Sequence, residues 1–402
     1  MIGSVLVYVQ HLLGIGHLRR SLRIVDALAH EGVRVTLISG GEPLAELART
    51  SAERLVQLPP IKARDAEFKM LVDETGRPVN DTLRMARRSA LLAAFAEAQP
   101  DAVLIEAFPF GRRAFRLELE GLIEAAWSLR PRPRVLCSLR DVVVAPSDPR
   151  RPGEIVERVR KWFDFVLVHG DPAFITLEAS FPLASQIRDR LIYTGYIAEA
   201  DAAGRATKSD DAAPEGDVVV SAGGGAVGGV LLRTAIETRR RGCLAQVGWR
   251  LLTGPNLPEP EFRALAAALP ERVLIERYRS DFPQILRRCL VSVSQGGYNT
   301  VLDILAARAP AVVVPFATGR ETEQNLRAQR LAARGAVEVV APDELSPERL
   351  ALAIDRAIAT RPAIVSIDTG GARRSAELIA NMIRSPQSRI WRCSRTTGMI
   401  RQ

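Results

Sequence analysis

At 402 residues the chain is longer than one hydrophobic core usually supports, so two domains of about 200 residues each are expected. A composition of 47% hydrophobic and 25% charged residues is that of a folded globular protein and excludes a largely disordered one. The net charge of +9 is uneven: residues 1–200 carry 27 Lys+Arg against 25 Asp+Glu, whereas the stretch from Arg384 to Gln402 has five arginines and no acid.

In chain order, apolar runs of strand length alternate with longer amphipathic segments, the pattern of parallel βαβ units. The first run predicts a strand over Ser4–Val9, a loop through Gly14 and Gly16, a helix over Leu18–Glu31 and a second strand over Val33–Ser39. The opening apolar run is read as a buried strand and not as a signal peptide, because Arg19, Arg20 and Arg23 follow it instead of preceding it. Further strands are expected at Ala102–Glu106, Val135–Leu139, Phe165–His169 and Leu191–Tyr193. Residues 199–217 then have almost no large apolar side chain and cannot offset their ordering entropy, which makes them a linker. Beyond it come strands at Val218–Ser221, Gln246–Thr253, Val273–Glu276, Leu290–Ser294 and Ala311–Pro315, each with a helix behind, and a late helix over Arg373–Arg384. The expected organisation is a first domain over 1–198, a second over 218–384 and a basic tail over 385–402.

Cys137, Cys243, Cys289 and Cys393 lie far apart with no CxxC pair, as ordinary thiols of a reducing compartment do, so the cytosol is expected. No run of 18 apolar residues suggests a membrane span. The tail reads either as a solvated chain end or, with Ile390-Trp391 as an apolar anchor, as a segment attracted to anionic lipid at the inner membrane face. Aromatics make up only 5% of the chain and no basic stripe interleaves with them, so nucleic acid is not an expected partner.

Ligands of open parallel sheets bind beyond the carboxyl ends of the strands, so the loops there carry the candidate chemistry. After Leu290–Ser294, the turn Gln295-Gly296-Gly297 leads into a helix beginning Tyr298-Asn299-Thr300, with Asp303 one turn along. Two glycines allow a sharp turn and close backbone approach, and the helix start offers unpaired N–H groups to an anion. Glycine in such a turn also has a purely structural use. The next unit opens with Glu323, Gln324 and Asn325, suited to sugar hydroxyls, while Glu321 or Thr322 suits a helix cap. Gly223, Gly224 and Gly225, with Gly228 and Gly229 after them, form a third flexible loop. That spacing is not the dinucleotide pattern, which disfavours NAD.

At the other sheet, His17 follows the loop Gln10–Gly16 and is placed either as a base, its ordinary pKa of about 6.5 suiting proton abstraction, or as a helix cap or phosphate ligand. Glu106 ends a strand, where burial would raise its pKa into a catalytic range, or else it pairs with Arg112 or Arg113. Arg140-Asp141 ends another strand as a further ion pair or acceptor contact. His11, His30 and His169 lack comparable context. No metal site is expected, because the only Asp-Asp, Asp210-Asp211, lies in the linker.

The stretch SQGGYNTVLDILAARAPAVVVPF, followed by ETEQN, resembles the donor-binding motif of family 28 glycosyltransferases, which include MurG, in order and spacing over residues 216–342. The resemblance implies a GT-B fold: two Rossmann-like doubly wound α/β domains facing across a cleft, the first for the acceptor and the second for a nucleotide diphospho-sugar of the UDP-HexNAc kind. It implies that Ser294, Gly296, Gly297 and Thr300 hold the diphosphate, Asp303 the ribose, and Gln324 with Glu323 the sugar, with Arg277 and Tyr278 flanking the base; Asn299, Gly223, Gly224 and Gly225 are further expected nucleotide-sugar contacts. Gly16 and His17 resemble the family's opening loop, although Gly-Ile-Gly-His lacks its paired glycines. The implied reaction is a metal-independent, inverting transfer to a glycan, lipid-linked or small-molecule hydroxyl, with no cofactor. The same loop also looks like that of MurG-like UDP-sugar hydrolases, and a nucleotide-sugar-binding protein without turnover is the third reading.

Overall fold

A computed structural model describes residues 2–12, 14–64, 70–144, 148–198, 216–223, 228–279, 281–316 and 323–384. Among these, the strands β1 (Ser4–Val9), β2 (Arg34–Ser39), β3 (Arg54–Gln57), β4 (Lys62–Ala63), β5 (Leu71–Val72), β6 (Ala102–Glu106), β7 (Arg134–Arg140), β8 (Phe165–His169) and β9 (Leu191–Tyr193) belong to the first half. Helices α1 (Gly16–His30), α2 (Asp81–Ala98), α3 (Arg116–Ser128) and α4 (Arg151–Trp162) connect them. The second half has β10 (Val218–Ser221), β11 (Trp249–Leu252), β12 (Val273–Glu276), β13 (Val291–Ser294), β14 (Ala311–Val313) and β15 (Glu338–Val339). Its helices are α5 (Gly229–Arg240), α6 (Glu259–Ala267), α7 (Phe282–Arg288), α8 (Tyr298–Ala307), α9 (Glu323–Ala332), α10 (Pro347–Ala359) and α11 (Gly371–Arg384).

Two parallel sheets result, in the orders β3-β2-β1-β6-β7-β8-β9 and β12-β11-β10-β13-β14-β15, while β4 and β5 pair as a small antiparallel ribbon. This is the two-domain α/β arrangement expected from the alternating runs. Both faces of each central strand are covered, so β1, β6 and β10 are apolar and buried along their length. β3 runs Arg-Leu-Val-Gln, alternately half-buried and exposed, as an edge strand does, and lacks the continuous apolar run that marks its neighbours. The expected strand over Gln246–Thr253 shortens to β11 because residues 241–247 turn after α5.

In each sheet the strand order reverses beside its first strand, between β1 and β6 and between β10 and β13. Loops diverge there, leaving crevices at the carboxyl ends of the strands. α11, expected in the second domain, crosses back: its Ala376, Ile379, Ala380 and Met382 are buried in one cluster with Leu18, Ile24, Val25 and Leu28 of α1. The chain passes between the sheets twice at one place, where Ile197 bridges Gly370 and Gly371 donates to the Tyr196 carbonyl at 3.0 Å. Gly371 lies so close to this crossing that a Cβ would stand 2.3 Å from the Gly195 carbonyl oxygen. The expected linker, apart from Gly216 and Asp217, and the basic tail 385–402 lie outside the described residues, as do Gly224 and Gly225.

Candidate functional site

His17 stands in the first turn of α1, and Glu106 is the last residue of β6, on either side of the first crevice. His17 Nδ1 lies 2.5 Å from Glu106 Oε1, Arg20 Nη2 donates to the same oxygen at 2.7 Å, and Arg112 donates to Oε2 at 3.0 Å through Nη2 and 3.2 Å through Nε. Helix geometry explains the grouping, because Arg20 is three residues from His17 and shares its face. Ile15, not His17, occupies the N-cap position of α1.

Glu106 is 1% exposed, yet its carboxyl is held well below the usual range: burial opposes its charge, and His17, Arg112 and Arg20 outweigh burial. The expectation of a raised carboxyl pKa is thereby corrected. Two cations sit on the group, and an ionised carboxylate is the form they stabilise. His17 moves down to about 3, through burial first and then Arg112 and Arg20, against the opposing pull of Glu106. The imidazole is therefore neutral near pH 7. Its carboxylate partner places the proton on Nδ1 and leaves Nε2 unprotonated, on a ring that is 26% exposed.

Across from it, β13 ends at Ser294 and the chain turns through Gly296 into α8. Gly296 has φ +76°, and a Cβ there would stand 2.6 Å from Val313 Cγ1, so only glycine fits. Gly297, at the N-cap position with φ −59°, is different: a Cβ would meet no atom of the described residues within 4 Å. Gly223, with φ +71° two residues after β10, likewise has none among the described residues. The two helix starts approach each other, since a Cβ on Gly16 would stand 3.3 Å from Asn299 Nδ2. Two positive dipole ends and their unpaired N–H groups thus open on neighbouring space, an arrangement suited to a diphosphate. Thr300 and Asp303 are half-buried on α8.

Other residues of the expected donor set are buried or have partners within the protein. Ser294 is wholly buried, and its hydroxyl has no hydrogen-bond partner among the described residues. The Glu323 carboxylate, expected at the sugar, pairs instead with Arg140 and, at 3.2 Å, with Arg327. It is 6% exposed, and a buried carboxylate is stable only with such partners. Gln324 accepts the Phe316 N–H at 2.9 Å, shaping the loop after β14. Arg277 stacks on Phe262, its Cζ 4.3 Å from the ring centroid, and donates to the Leu257 carbonyl, so its head is turned toward α6. Tyr278 is 53% exposed, and its hydroxyl accepts from Arg19 of α1 at 3.1 Å.

The two domains also meet through a buried polar cluster absent from the sequence reading except for Arg140-Asp141. Arg327 of α9 donates to Asp141 at 2.9 and 3.2 Å, and the Tyr196 hydroxyl donates to the same carboxylate at 2.9 Å. Arg327 and Asp141 are essentially inaccessible to solvent. Arg327 lies on the buried face of α9 with Glu323, Ala328 and Leu331, and nothing in the sequence tells that this face meets the other domain. His169 is structural, held between Ser138 at 2.7 Å and Thr194 at 2.9 Å, and His30 is exposed at the end of α1. No cluster of His, Cys, Asp and Glu suited to a metal occurs among the described residues, and no helix among them is long and apolar enough to cross a membrane.

Comparison with known proteins bears on the fold and the family likeness. Residues 219–379 match the glycosyltransferase family 28 C-terminal domain. An uncharacterised glycosyltransferase of Methanopyrus kandleri is 30% identical over 167 residues, covering 41% of this chain and 45% of that protein. The UDP-N-acetylglucosamine–N-acetylmuramyl-(pentapeptide) pyrophosphoryl-undecaprenol N-acetylglucosamine transferase of Exiguobacterium sibiricum is 26% identical over 145 residues, 35% of this chain and 40% of its own. The chain therefore spans less than half the length of these curated relatives. In fold the likeness extends over most of the chain: the calicheamicin glycosyltransferase CalG4 superposes with a TM-score of 0.59 at 18% identity, covering 96% of this chain and 95% of its own. Acinetobacter baumannii MurG does so with a TM-score of 0.55 at 14% identity, covering 95% and 99%. The chain thus has the GT-B fold of two facing parallel-sheet domains, and within it residues 219–379 are similar to the C-terminal domain of the family 28 glycosyltransferases.

Proposed function

We propose that this protein is a glycosyltransferase that moves a sugar, of the HexNAc kind, from a UDP-sugar to a hydroxyl acceptor held by the first domain. The observation that carries the reading is the pairing of a neutral, carboxylate-oriented His17 on one sheet with an open Gly297 turn and helix start on the other, brought close at Gly16 and Asn299. In the reaction, His17 Nε2 takes the proton of the acceptor hydroxyl as its oxygen bonds to the anomeric carbon. The bond from that carbon to the diphosphate oxygen breaks on the opposite face. Its electron pair leaves with UDP, so the anomeric centre inverts. The helix starts at Gly16 and Tyr298 would stabilise the departing charge without a metal ion. Glu106 supports the base by fixing its tautomer and does not itself take a proton. Gly16, Gly223, Gly297, Asn299, Thr300 and Asp303 remain the proposed donor contacts, with Tyr278 toward the base. The basic tail is proposed to bring the protein to anionic lipid at the cytoplasmic face.

The test is incubation of purified protein with UDP-HexNAc and other nucleotide sugars, with EDTA, and with or without glycan and lipid-linked hydroxyl acceptors. Acceptor-dependent sugar transfer supports the reading. Full-rate sugar release without acceptor identifies a hydrolase, and donor binding without release identifies a binding protein.

A further inference from the structure

Tyr298 directly follows the open glycine of the donor turn, yet it is buried against the first domain. Its hydroxyl donates to the His169 carbonyl at 3.1 Å and accepts the Ile197 N–H at 3.1 Å, one partner at the end of β8 and the other at the crossing between domains. Its ring packs on Tyr196, with centroids 5.5 Å apart. The guanidinium of Arg20 lies 5.8 Å from the ring centroid and that of Arg327 5.6 Å. Arg20 is the same residue that donates to Glu106 Oε1 at 2.7 Å and lies 3.2 Å from His17 Nδ1. A continuous line of contacts therefore runs from Gly297 through the Tyr298 ring and Arg20 to the His17–Glu106 pair.

We propose that Tyr298 is a positioning residue that couples the donor turn to the base across the domain interface, its hydroxyl anchoring the turn and its ring backing the arginine that orients Glu106 and His17. The proposal rests on the transferase reading above. A phenol suits both tasks: it supplies a donor and an acceptor to two backbone groups that would otherwise be buried unpaired, and an aromatic face for cations. Burial, first, pushes the Tyr298 phenol up, so the donor to the His169 carbonyl persists at any working pH. The mechanism has no other use for a tyrosine at this position, since its hydroxyl is spent on the first domain and not on ligand.

The test compares Tyr298→Phe and Tyr298→Leu in the full chain by donor kinetics, by UDP binding in calorimetry and by NMR titration of the imidazoles, of which the sequence has only four. The charged groups facing His17 are Glu106 of β6, Arg112 of the loop after it and Arg20 of its own helix. Tyr298→Phe keeps the ring and loses two hydrogen bonds, and is expected to raise donor KM and UDP Kd by about tenfold, more than it lowers kcat. Tyr298→Leu is expected to lower kcat by a further tenfold or so and to move the His17 titration up by a small amount as Arg20 loosens, burial and Arg112 still holding it low. A folded Tyr298→Leu protein whose UDP affinity, kcat and His17 titration all match the wild type would overturn the proposal, as would identical KM and kcat effects in the two variants. Failure of the wild type to turn over any nucleotide sugar would defeat the transferase reading alone, because UDP affinity and the His17 titration still decide the coupling.

Discussion

His17 and Glu106 illustrate how one side chain's chemistry depends on partners that are distant in sequence. The position of His17 after the first loop was readable, and the proposal of its imidazole as proton acceptor starts from that position. The sign of the Glu106 shift was not, because Arg112 lies six residues on and Arg20 eighty-six residues back, and only the fold delivers both guanidiniums to one carboxylate. Replacing His17 by Ala is expected to lower kcat by about 10²–10⁴-fold while UDP binding persists. Loss of UDP affinity in parallel with turnover would instead make His17 a phosphate ligand. The depressed pKa also sets a pH dependence. Below about 6.5 an unfolded imidazole takes a proton, whereas the folded one stays neutral down to about 3. The unfolded chain then binds more protons, so His17 contributes stability above pH 6.5 that is lost as the pH falls through that window. A His17→Gln variant should accordingly lose less stability than wild type between pH 7 and 5, as measured by thermal melts.

The turn from β13 into α8 was the most legible element, since strand, Gly-Gly and helix follow one another within fourteen residues. What the sequence could not separate is the work of the two glycines. Gly296 is needed for its backbone and its packing on Val313, and Gly297 is open. Gly296→Ala should therefore cost about 1–3 kcal/mol in stability, whereas Gly297→Val should leave the melting temperature nearly unchanged and weaken UDP binding by tenfold or more, the order expected when a ligand's close backbone approach is blocked. Equal melting temperatures for the two variants would contradict this division. Glu323 shows the opposite failure of legibility. Its neighbours in sequence fit a sugar site, but its carboxylate is committed to Arg140 and Arg327. Short motifs locate the end of a sheet well and the direction of a side chain poorly.

On the scale of the whole molecule, two sheets were apparent from the alternation of runs, but the way they are joined was not. The amphipathic pattern of α11 says that it has an apolar face, and not that this face returns to pack on α1. The buried Asp141–Arg327 pair was half legible: Arg140-Asp141 reads as an ion pair or acceptor contact at a strand end, but nothing in the sequence points to Arg327 as its partner. Removing one member leaves the other charge buried, so Arg327→Met should destabilise the protein by about 3–5 kcal/mol, read as a lower denaturation midpoint. The transfer proposed across the cleft between these joined domains makes turnover depend on the acceptor. The decisive quantity is the rate of UDP release at saturating UDP-HexNAc, labelled in the sugar, as a hydroxyl acceptor is titrated. The rate should rise from a low baseline and saturate, with one labelled sugar appearing on acceptor for each UDP released. A rate that stays flat as acceptor is added, with the label recovered as free sugar, would contradict transfer.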